Sequence, residues 1–552
     1  MTSVYMLIIL MIWGVGTAYR AYRQARFYQI EEYMSMRYLR WYARSVERLF
    51  PKRTIIAWFL SSLLAFMMSE APGTLFPALI LIVGSIIANL PPKEGEIKKA
   101  FKATPRAKRL LIATFVLIIL GFLIDIWVFN QINPSREEFW LLLASGAGLI
   151  EFLLAPIYLV GGNLVAKPYE AWQRRRFIEQ ARKVLETVRP NVIGITGSYG
   201  KTSTKTFLAH FLKDRYKTYP TPKSYNTLMG LCLAINNDLA DDLSIEYFIA
   251  EMGAYVPGEI ERICDLVHPT TGIIVEVGPQ HLERFGTIEN VATAKYELIK
   301  ALPEDGVGIF NWDNPHVRAM FEKGYPHECI AVSQQINFDE FTNSLPHLIA
   351  SEVEETLNGL RFTVTDRRTN QYETFDVPLN GQHNVTNILL ATAAALHEGL
   401  TLKDIARRAR TLTPAESRLV KQSTASGITI INDAYSANPA GAISALKVLN
   451  LYQNGKRVLV TPGMVELGDL MDVENHKLGI EAAKYATDII LVGKEQTRPI
   501  QAGLAEAQFS SDHLQVVDTL AEAIQWYERN LKAGDTVLFL NDLPDTYSAK
   551  SS

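Results

Sequence analysis

The sequence predicts an α/β protein in three parts: an N-terminal α-helical transmembrane bundle, a central mononucleotide-binding domain with a phosphate loop, and a C-terminal Rossmann-like doubly wound domain. Three observations predict it. Long apolar runs crowd the first third of the chain, strands and helices alternate from Val192 onward, and that alternation restarts around Thr413-Pro414. With 552 residues, almost half of them hydrophobic, the chain can fill several separate cores. The expected boundaries are 1–165 for the transmembrane region, 166–188 for a linker helix, 189–413 for the central domain and 414–552 for the C-terminal domain.

About five spans are expected, near Val4–Tyr19, Ile55–Met68, Thr74–Leu90, Leu110–Phe129 and Phe139–Val160, several approaching the ~20 residues that cross a bilayer. The second and third runs are short, so a helical hairpin that dips into the membrane is the alternative there. Arg20 to Arg53 is dense in arginine and Lys93 to Arg109 in lysine, whereas Ser69 to Gly73 carries only Glu70. Basic segments stay cytoplasmic, which places the N-terminus outside the cytoplasmic membrane and everything after Lys167 in the cytoplasm. Met1-Thr-Ser lacks a basic n-region and no small-residue cleavage site follows, so a removable signal peptide is not expected. Asp125 and Glu151 fall inside spans, where carboxylates are costly. Asp125, near an outer end, reads as hydrated; Glu151, deeper, reads as a structural partner of a basic group or as a functional residue.

Charge divides unevenly, the first third basic and the remainder acidic. The basic stretches flank spans and no aromatic-basic recognition motif appears, which argues against nucleic-acid binding. Cys232, Cys264 and Cys329 are scattered without metal-ligand spacing and read as free thiols in a reducing compartment.

The amphipathic basic stretch Ala171–Val188 predicts a helix, which Pro190-Asn191 ends. Apolar strands are then expected at Val192–Thr196, Tyr247–Glu251, Gly272–Val277 and Val307–Asn311, with helices at Lys201–Leu212, Leu228–Asp238, Pro257–Leu266 and Val291–Leu302. This is the rhythm of a parallel sheet covered on both faces. Glu352 to Pro378 alternates in short runs and reads as a small antiparallel piece, before an alanine-rich helix after Asn387. In the last part, strands at Ile428–Asn432, Arg457–Thr461, Asp488–Val492, Leu514–Val517 and Thr536–Leu540 alternate with four helices.

The richest chemistry lies in Gly194-Ile-Thr-Gly-Ser-Tyr-Gly-Lys-Thr-Ser-Thr204, where an apolar strand runs through a glycine turn into a helix. Glycines let backbone N–H groups close on phosphate oxygens, the helix aims its positive end at them, Lys201 supplies charge, and the Thr202 hydroxyl reaches Mg²⁺. The general nucleotide-loop pattern has glycine five positions before Gly200, where this chain has Ile195. Glu251, at the C-terminal edge of the next strand, can hold Mg²⁺ on the rim where α/β sheets bind ligands. His281, in the segment after Glu276, falls on the same rim.

These residues belong to an ordered series: Ser224-Tyr-Asn-Thr-Leu-Met-Gly230, Glu251-Met-Gly-Ala, Gly278-Pro-Gln-His-Leu-Glu-Arg-Phe-Gly286, Ala294-Lys-Tyr-Glu-Leu298, Gly381-Gln-His-Asn-Val-Thr-Asn387 and Asn432-Asp-Ala-Tyr-Ser-Ala-Asn-Pro439. From about Arg189 to the C-terminus the chain resembles the Mur ligases, most closely the MurF type, which adds D-alanyl-D-alanine to a muramyl peptide. The resemblance implies an ATP-dependent acid–amino-acid ligase. ATP phosphorylates a carboxylate to an acyl phosphate, which an amine attacks to give an amide. It implies two Mg²⁺ ions, one on Thr202 and Glu251, the other on His281 and Lys295. Lys295 matches the family's carbamylated lysine, which gains a negative charge from CO₂. Catalysis would fall to Lys201, His281 and Lys295. Gly197, Ser198, Gly200 and Ser203 would complete the phosphate cradle, Asn384 beside His383 would meet the nucleotide, and Arg418 and Asp433 would close over phosphate and ribose. Asn226 and Thr227 would face the acceptor peptide, and Tyr435 and Asn438 the incoming amine. The implied partners are a cell-wall precursor peptide and an amino-acid or dipeptide donor.

Two features depart from the pattern. The MurF type begins with a soluble domain that grips uridine diphosphate, where this chain has apolar spans; membrane lipids and a lipid-linked acceptor become candidates. The family more often has aspartate at the position of Gly463. Two other readings fit the same residues: a poly-γ-glutamate or related polypeptide synthase, and a transporter or sensor gated by its ATPase domain. Few charges lie in the spans to build a transport pathway, which disfavours the latter.

Overall fold

The first part of the chain folds into helices at Thr2–Ile30, Ser35–Ala43, Val46–Leu49, Lys52–Met67, Leu75–Asn89, Pro105–Phe129, Glu138–Leu153 and Ala155–Val188, the longest apolar runs lying in Thr2–Ile30 and Pro105–Phe129. The computed structural model describes residues 2–541 apart from 32, 44, 69–73, 93–100, 132–137, 223–224, 335–345, 416–417 and 434–437. The described residues divide into two units, which meet between Arg175 and Arg176 in the sequence.

In the first unit Ile9, Trp13, Leu81 and Leu141 are fully buried between helices, while Val15, Ile112, Ile124 and Trp127 point outward. Apolar side chains turned outward suit a lipid surround. Thr104 opens Pro105–Phe129 by accepting the Ala107 N–H at 3.2 Å, with Pro105 in the first turn where its missing donor costs nothing. Arg20 is buried, its guanidinium donating to Phe152 O, Arg48 O and the Tyr42 hydroxyl. Glu151 Oε2 accepts from the Tyr158 hydroxyl, and among the described residues no basic side chain bonds it.

The count of spans is corrected. Among the described residues Thr2–Ile30 and Pro105–Phe129 are long and apolar enough to cross a bilayer, and Phe139–Leu153 with Ala155–Val188, bent by 58°, makes a third candidate. Lys52–Met67 and Leu75–Asn89 have 16 and 15 residues. At ~1.5 Å per residue each falls short of a ~30 Å hydrocarbon core. The stretch expected as a linker helix, 166–188, is the distal part of one 34-residue helix that runs through Pro168.

In the second unit, β1 Asn191–Thr196, β2 Thr218–Pro220, β3 Tyr247–Met252, β4 Thr271–Ile274, β5 Val307–Asn311, β6 Glu328–Ser333, β7 Leu348–Thr356, β8 Gly359–Asp366 and β9 Gln371–Val377 form one nine-stranded sheet in the order β2-β3-β1-β4-β5-β6-β7-β8-β9. β1 to β7 pair in parallel where adjacent, and β8 and β9 continue antiparallel. The antiparallel piece is thus the edge of the main sheet. Ile193 and Ile195 of β1 face helices Lys201–Leu212 and His383–His397, whereas Val192 faces the opposite layer with Phe248 and Leu298. Burial on both faces explains near-continuous apolar strands. In register, Thr196 sits beside Met252 and Ile274, so β1, β3 and β4 end on one rim.

The remaining strands, β10 Val420–Ser423, β11 Thr429–Asp433, β12 Arg457–Thr461, β13 Asp488–Val492, β14 Leu514–Val517 and β15 Thr536–Leu540, form a second sheet ordered β10-β11-β15-β12-β13-β14. It is parallel except for β10, an antiparallel edge strand the sequence reading missed. Cys232, Cys264 and Cys329 are free thiols.

Phe211 is fully buried between helix Lys201–Leu212 and the sheet that carries the rim. Phe211→Ala should lower the midpoint of thermal unfolding by an amount equivalent to ~3–5 kcal/mol, read by calorimetry, and Phe211→Leu by much less.

Candidate active site

The loop 197–200 turns β1 into helix Lys201–Leu212 with Gly200 at φ 79°. A side chain at Gly200 would be strained there, and its Cβ would stand 2.3 Å from Asn387 Oδ1. Ser198 ties the loop to the segment after β4: its N–H donates to Glu276 O at 2.7 Å, and its Oγ donates to Gly278 O and accepts the Gly278 N–H, both at 3.0 Å. Lys201 Nζ curls back over the loop and donates to Gly197 O at 2.6 Å and Ser198 O at 3.1 Å. Burial pushes Lys201 down to about 8, Glu251 opposing this and Arg418 adding to it. Ser203 is buried in the first helical turn.

Glu251, 2% exposed at the end of β3, is the hub of the rim. Its Oε2 pairs with Lys205 Nζ at 2.9 Å, and its Oε1 accepts from Thr202 Oγ1 at 3.2 Å and Asn226 Nδ2 at 3.3 Å. Lys205 also donates to Thr221 O at 2.7 Å. Burial alone would raise the Glu251 carboxyl; the charges of Lys205 and Lys201 and the bonds from Lys205 and Asn226 outweigh it and hold the group below its ordinary value. Lys205 was not singled out from sequence. Its signal was present: it lies four residues after Lys201 in one helix, on the same face.

The spacing of Thr202 Oγ1 and Glu251 Oε1 is close to the ~3 Å between adjacent ligands of an octahedral ion held at ~2.1 Å, so the pair fits Mg²⁺. Among the described residues no three His, Cys, Asp or Glu side chains converge on one point. An ion here would draw its other ligands from phosphate and water, as Mg²⁺ does.

Beside this rim lies a polar cavity of about 30 Å³ lined by Lys201, Asn226, Tyr255, His281, Phe285 and Lys295, among others. His281 has φ 55°, packs edge-on to Tyr255 with ring centroids 4.8 Å apart, and shares a 2.5 Å hydrogen bond from Nδ1 to Glu466 Oε2. Burial lowers His281, with Glu466 opposing and Lys201 and Arg284 adding to the shift. Lys295 is 3% exposed, with its Nζ 5.6 Å from the centroid of the Phe285 ring. Burial drives its ammonium well below the ordinary lysine value, and the charge of Lys201 drives it further.

The other expected residues divide. Arg418 is near enough that its charge lowers both Lys201 and His383, and burial carries His383 down to about 4. Asp433, at the end of β11, is buried and pushed up to about 6, with Arg418 opposing, and accepts the Leu419 N–H at 3.3 Å. Asn384 donates to Asn380 O at 2.8 Å and accepts from Asn387, whose Oδ1 bonds Thr204 at 3.4 Å. Asn387, under the loop, is the more direct neighbour of Gly200. Two side chains cap helices: Thr227 accepts the Gly230 N–H at 3.2 Å and Asn438 the Gly441 N–H at 2.7 Å. Tyr435 lies outside the described residues. Glu466 was missed, and no local pattern marks it.

Comparison with known proteins identifies the family of the second unit. Residues 195–395 match the family model of the Mur ligase middle domain, and 417–541 that of the Mur ligase glutamate ligase domain. The chain is 31% identical over 360 residues to a UDP-N-acetylmuramoyl-tripeptide–D-alanyl-D-alanine ligase of Bacillus subtilis, covering 65% of this chain and 74% of the relative. Against the enzyme of that name from Escherichia coli it is 30% identical, covering 64% and 74%. A crystal structure of MurF from Acinetobacter baumannii superposes with a TM-score of 0.58 at 26% identity, covering 67% of this chain and 77% of that one.

Bound polyphosphate favours the charged lysine and so raises Lys201 from about 8. Nucleotide affinity should therefore fall as pH rises through about 8, with a proton taken up on binding near that pH, measured by calorimetry in buffers of different ionisation enthalpy. Lys201→Arg, which stays charged, should abolish the uptake.

Proposed function

The chain belongs to the Mur ligase family, an ATP-dependent amide ligase of MurF-like type, and we propose that it extends the peptide of a peptidoglycan precursor at the cytoplasmic face of the membrane. The observation that carries the reading is one rim that holds Lys201, Thr202 and Glu251 beside a cavity with His281 and Lys295. The acid substrate would be the precursor peptide, and the amine D-alanyl-D-alanine or a related amino acid or dipeptide.

The γ-phosphoryl of ATP passes to the acceptor carboxylate, ADP leaves, and an acyl phosphate remains. The donor nitrogen then attacks its carbonyl carbon; phosphate leaves, the nitrogen gives up a proton and the amide stands. When bound, two Mg²⁺ ions would disperse charge between the carboxylate and the γ-phosphate, one held by Thr202 and Glu251, the other by His281 and Lys295. Loop amides and Lys201 orient the phosphates. Burial disfavours the Lys295 ammonium, and an unprotonated amine is the form that adds to CO₂, losing a proton to become an anionic carbamate, which would suit it to a cation. Asn384, Arg418 and Asp433 would bind nucleotide, Asn226 and Thr227 the acceptor, and Tyr435 and Asn438 the amine.

The family models leave residues 1–194 unmatched, and apolar helices occupy that part. They support a multi-pass anchor that keeps the catalytic unit in the cytoplasm and the N-terminus outside, with an acceptor that is itself lipid-linked. Purified protein given ATP, D-alanyl-D-alanine and either lipid-linked or UDP-linked muramyl peptide should favour the lipid-linked form; equal rates count against the anchor's role in substrate choice. Lys201→Ala should lower amide formation at least ~100-fold on either acceptor. Removal of CO₂ and bicarbonate should slow the enzyme reversibly, and Lys295→Ala should abolish that dependence along with most of the activity.

A further inference from the structure

The loop after β12 is fixed to present one side chain to the central domain. Gly463 has φ 87°, and a Cβ there would stand 2.8 Å from Asn475 Oδ1, so the aspartate common in the family has no room in this conformation. Buried Asn475 accepts the Met464 N–H at 2.7 Å and donates to Met464 O at 2.8 Å and Met471 O at 2.9 Å. Asn541 donates to Gly463 O at 2.6 Å, and Thr461 Oγ1 accepts the Gly463 N–H at 3.0 Å. Met464 and Leu467 are sunk in the core on either side. Between them Glu466, at φ 63°, reaches across to His281 Nδ1 at 2.5 Å, and His281 itself sits at φ 55°. Two non-glycine residues in the left-handed region meeting in one hydrogen bond mark a geometry that the surroundings impose.

We propose that Glu466 is a positioning residue for the reaction: from the C-terminal domain it fixes the tautomer and ring orientation of His281, leaving Nε2 with its lone pair for a cation in the cavity. A carboxylate that accepts from one ring nitrogen sets the other as the ligand and stops the ring from turning. Because the carboxylate and the imidazole belong to different domains, the cation site is complete only when the domains are docked. Phosphoryl transfer is thereby tied to closure over the reactants. The inference rests on the assignment of His281 to a metal in the reading above.

The test uses full-length protein in detergent with a non-hydrolysable ATP analogue, and Mn²⁺ as the probe, read by electron paramagnetic resonance. Glu466→Ala should weaken one Mn²⁺ by ~10–100-fold and leave the other unchanged. Glu466→Gln, which keeps an oxygen acceptor, should recover most of that loss, and Glu466→Ala should cost nothing further in a His281→Ala background. In turnover, Glu466→Ala should lower kcat with the KM for ATP nearly unchanged. Equal Mn²⁺ binding by Glu466→Ala and the unaltered protein, or additive losses with His281→Ala, overturns the proposal. Mn²⁺ coupling without any amide formation by the unaltered protein would uphold this inference and sink the functional reading instead.

Discussion

The site depends on one buried ion pair, Lys205 with Glu251, 2.9 Å apart and almost wholly removed from water. A lone carboxylate at that depth would give up its charge, and breaking such a pair costs ~3–5 kcal/mol because it strands the remaining ion. The helix that begins at the phosphate loop supplies the counter-charge from its second turn, having already supplied Lys201 and Thr202 from its first. One helix thus places Lys201, the Thr202 hydroxyl and the charge that keeps the rim carboxylate ionised. The parallel pairing of β1 with β3 fixes the other side of the arrangement, since it sets Thr196 beside Met252 and brings Glu251 to the mouth of the loop.

The same economy of charge explains the neighbouring cavity. Lys201 and Lys295 both line the cavity, while Glu251, whose charge acts on Lys201, is bonded to Lys205. Burial and the charge of Lys201 push Lys295, which has the apolar Phe285 ring beside it, well below the ordinary lysine value. Burial disfavours the charged forms of both Lys295 and His281. The rim therefore sets an ion-paired carboxylate, Glu251, beside a cavity whose two basic side chains are held below their ordinary values.

Much of this was legible in the chain. Apolar strands that recur with helical patterns gave both sheets, and glycines 197 and 200 with Lys201 and Thr202 gave the loop, because these features act through local backbone conformation. Glu251 and His281 could be placed on the rim from strand order alone. Lys205 was overlooked although its helical spacing announced it. Glu466 was invisible because its role comes from a tertiary contact 185 residues away in sequence. Asn438 and Thr227 follow a pattern for substrate contact, yet their side chains cap helices, a duty equally open to asparagine and threonine before a helical run. In the first unit, counting apolar residues overestimated the spans, since a helix must also be long enough.

The central claim is that ATP activates the acceptor carboxylate itself. It is tested most directly by supplying the acceptor peptide with ¹⁸O in that carboxylate and analysing the inorganic phosphate released by mass spectrometry. The account predicts one ¹⁸O atom in phosphate for each amide formed. Amide formation with no label in the phosphate would contradict it.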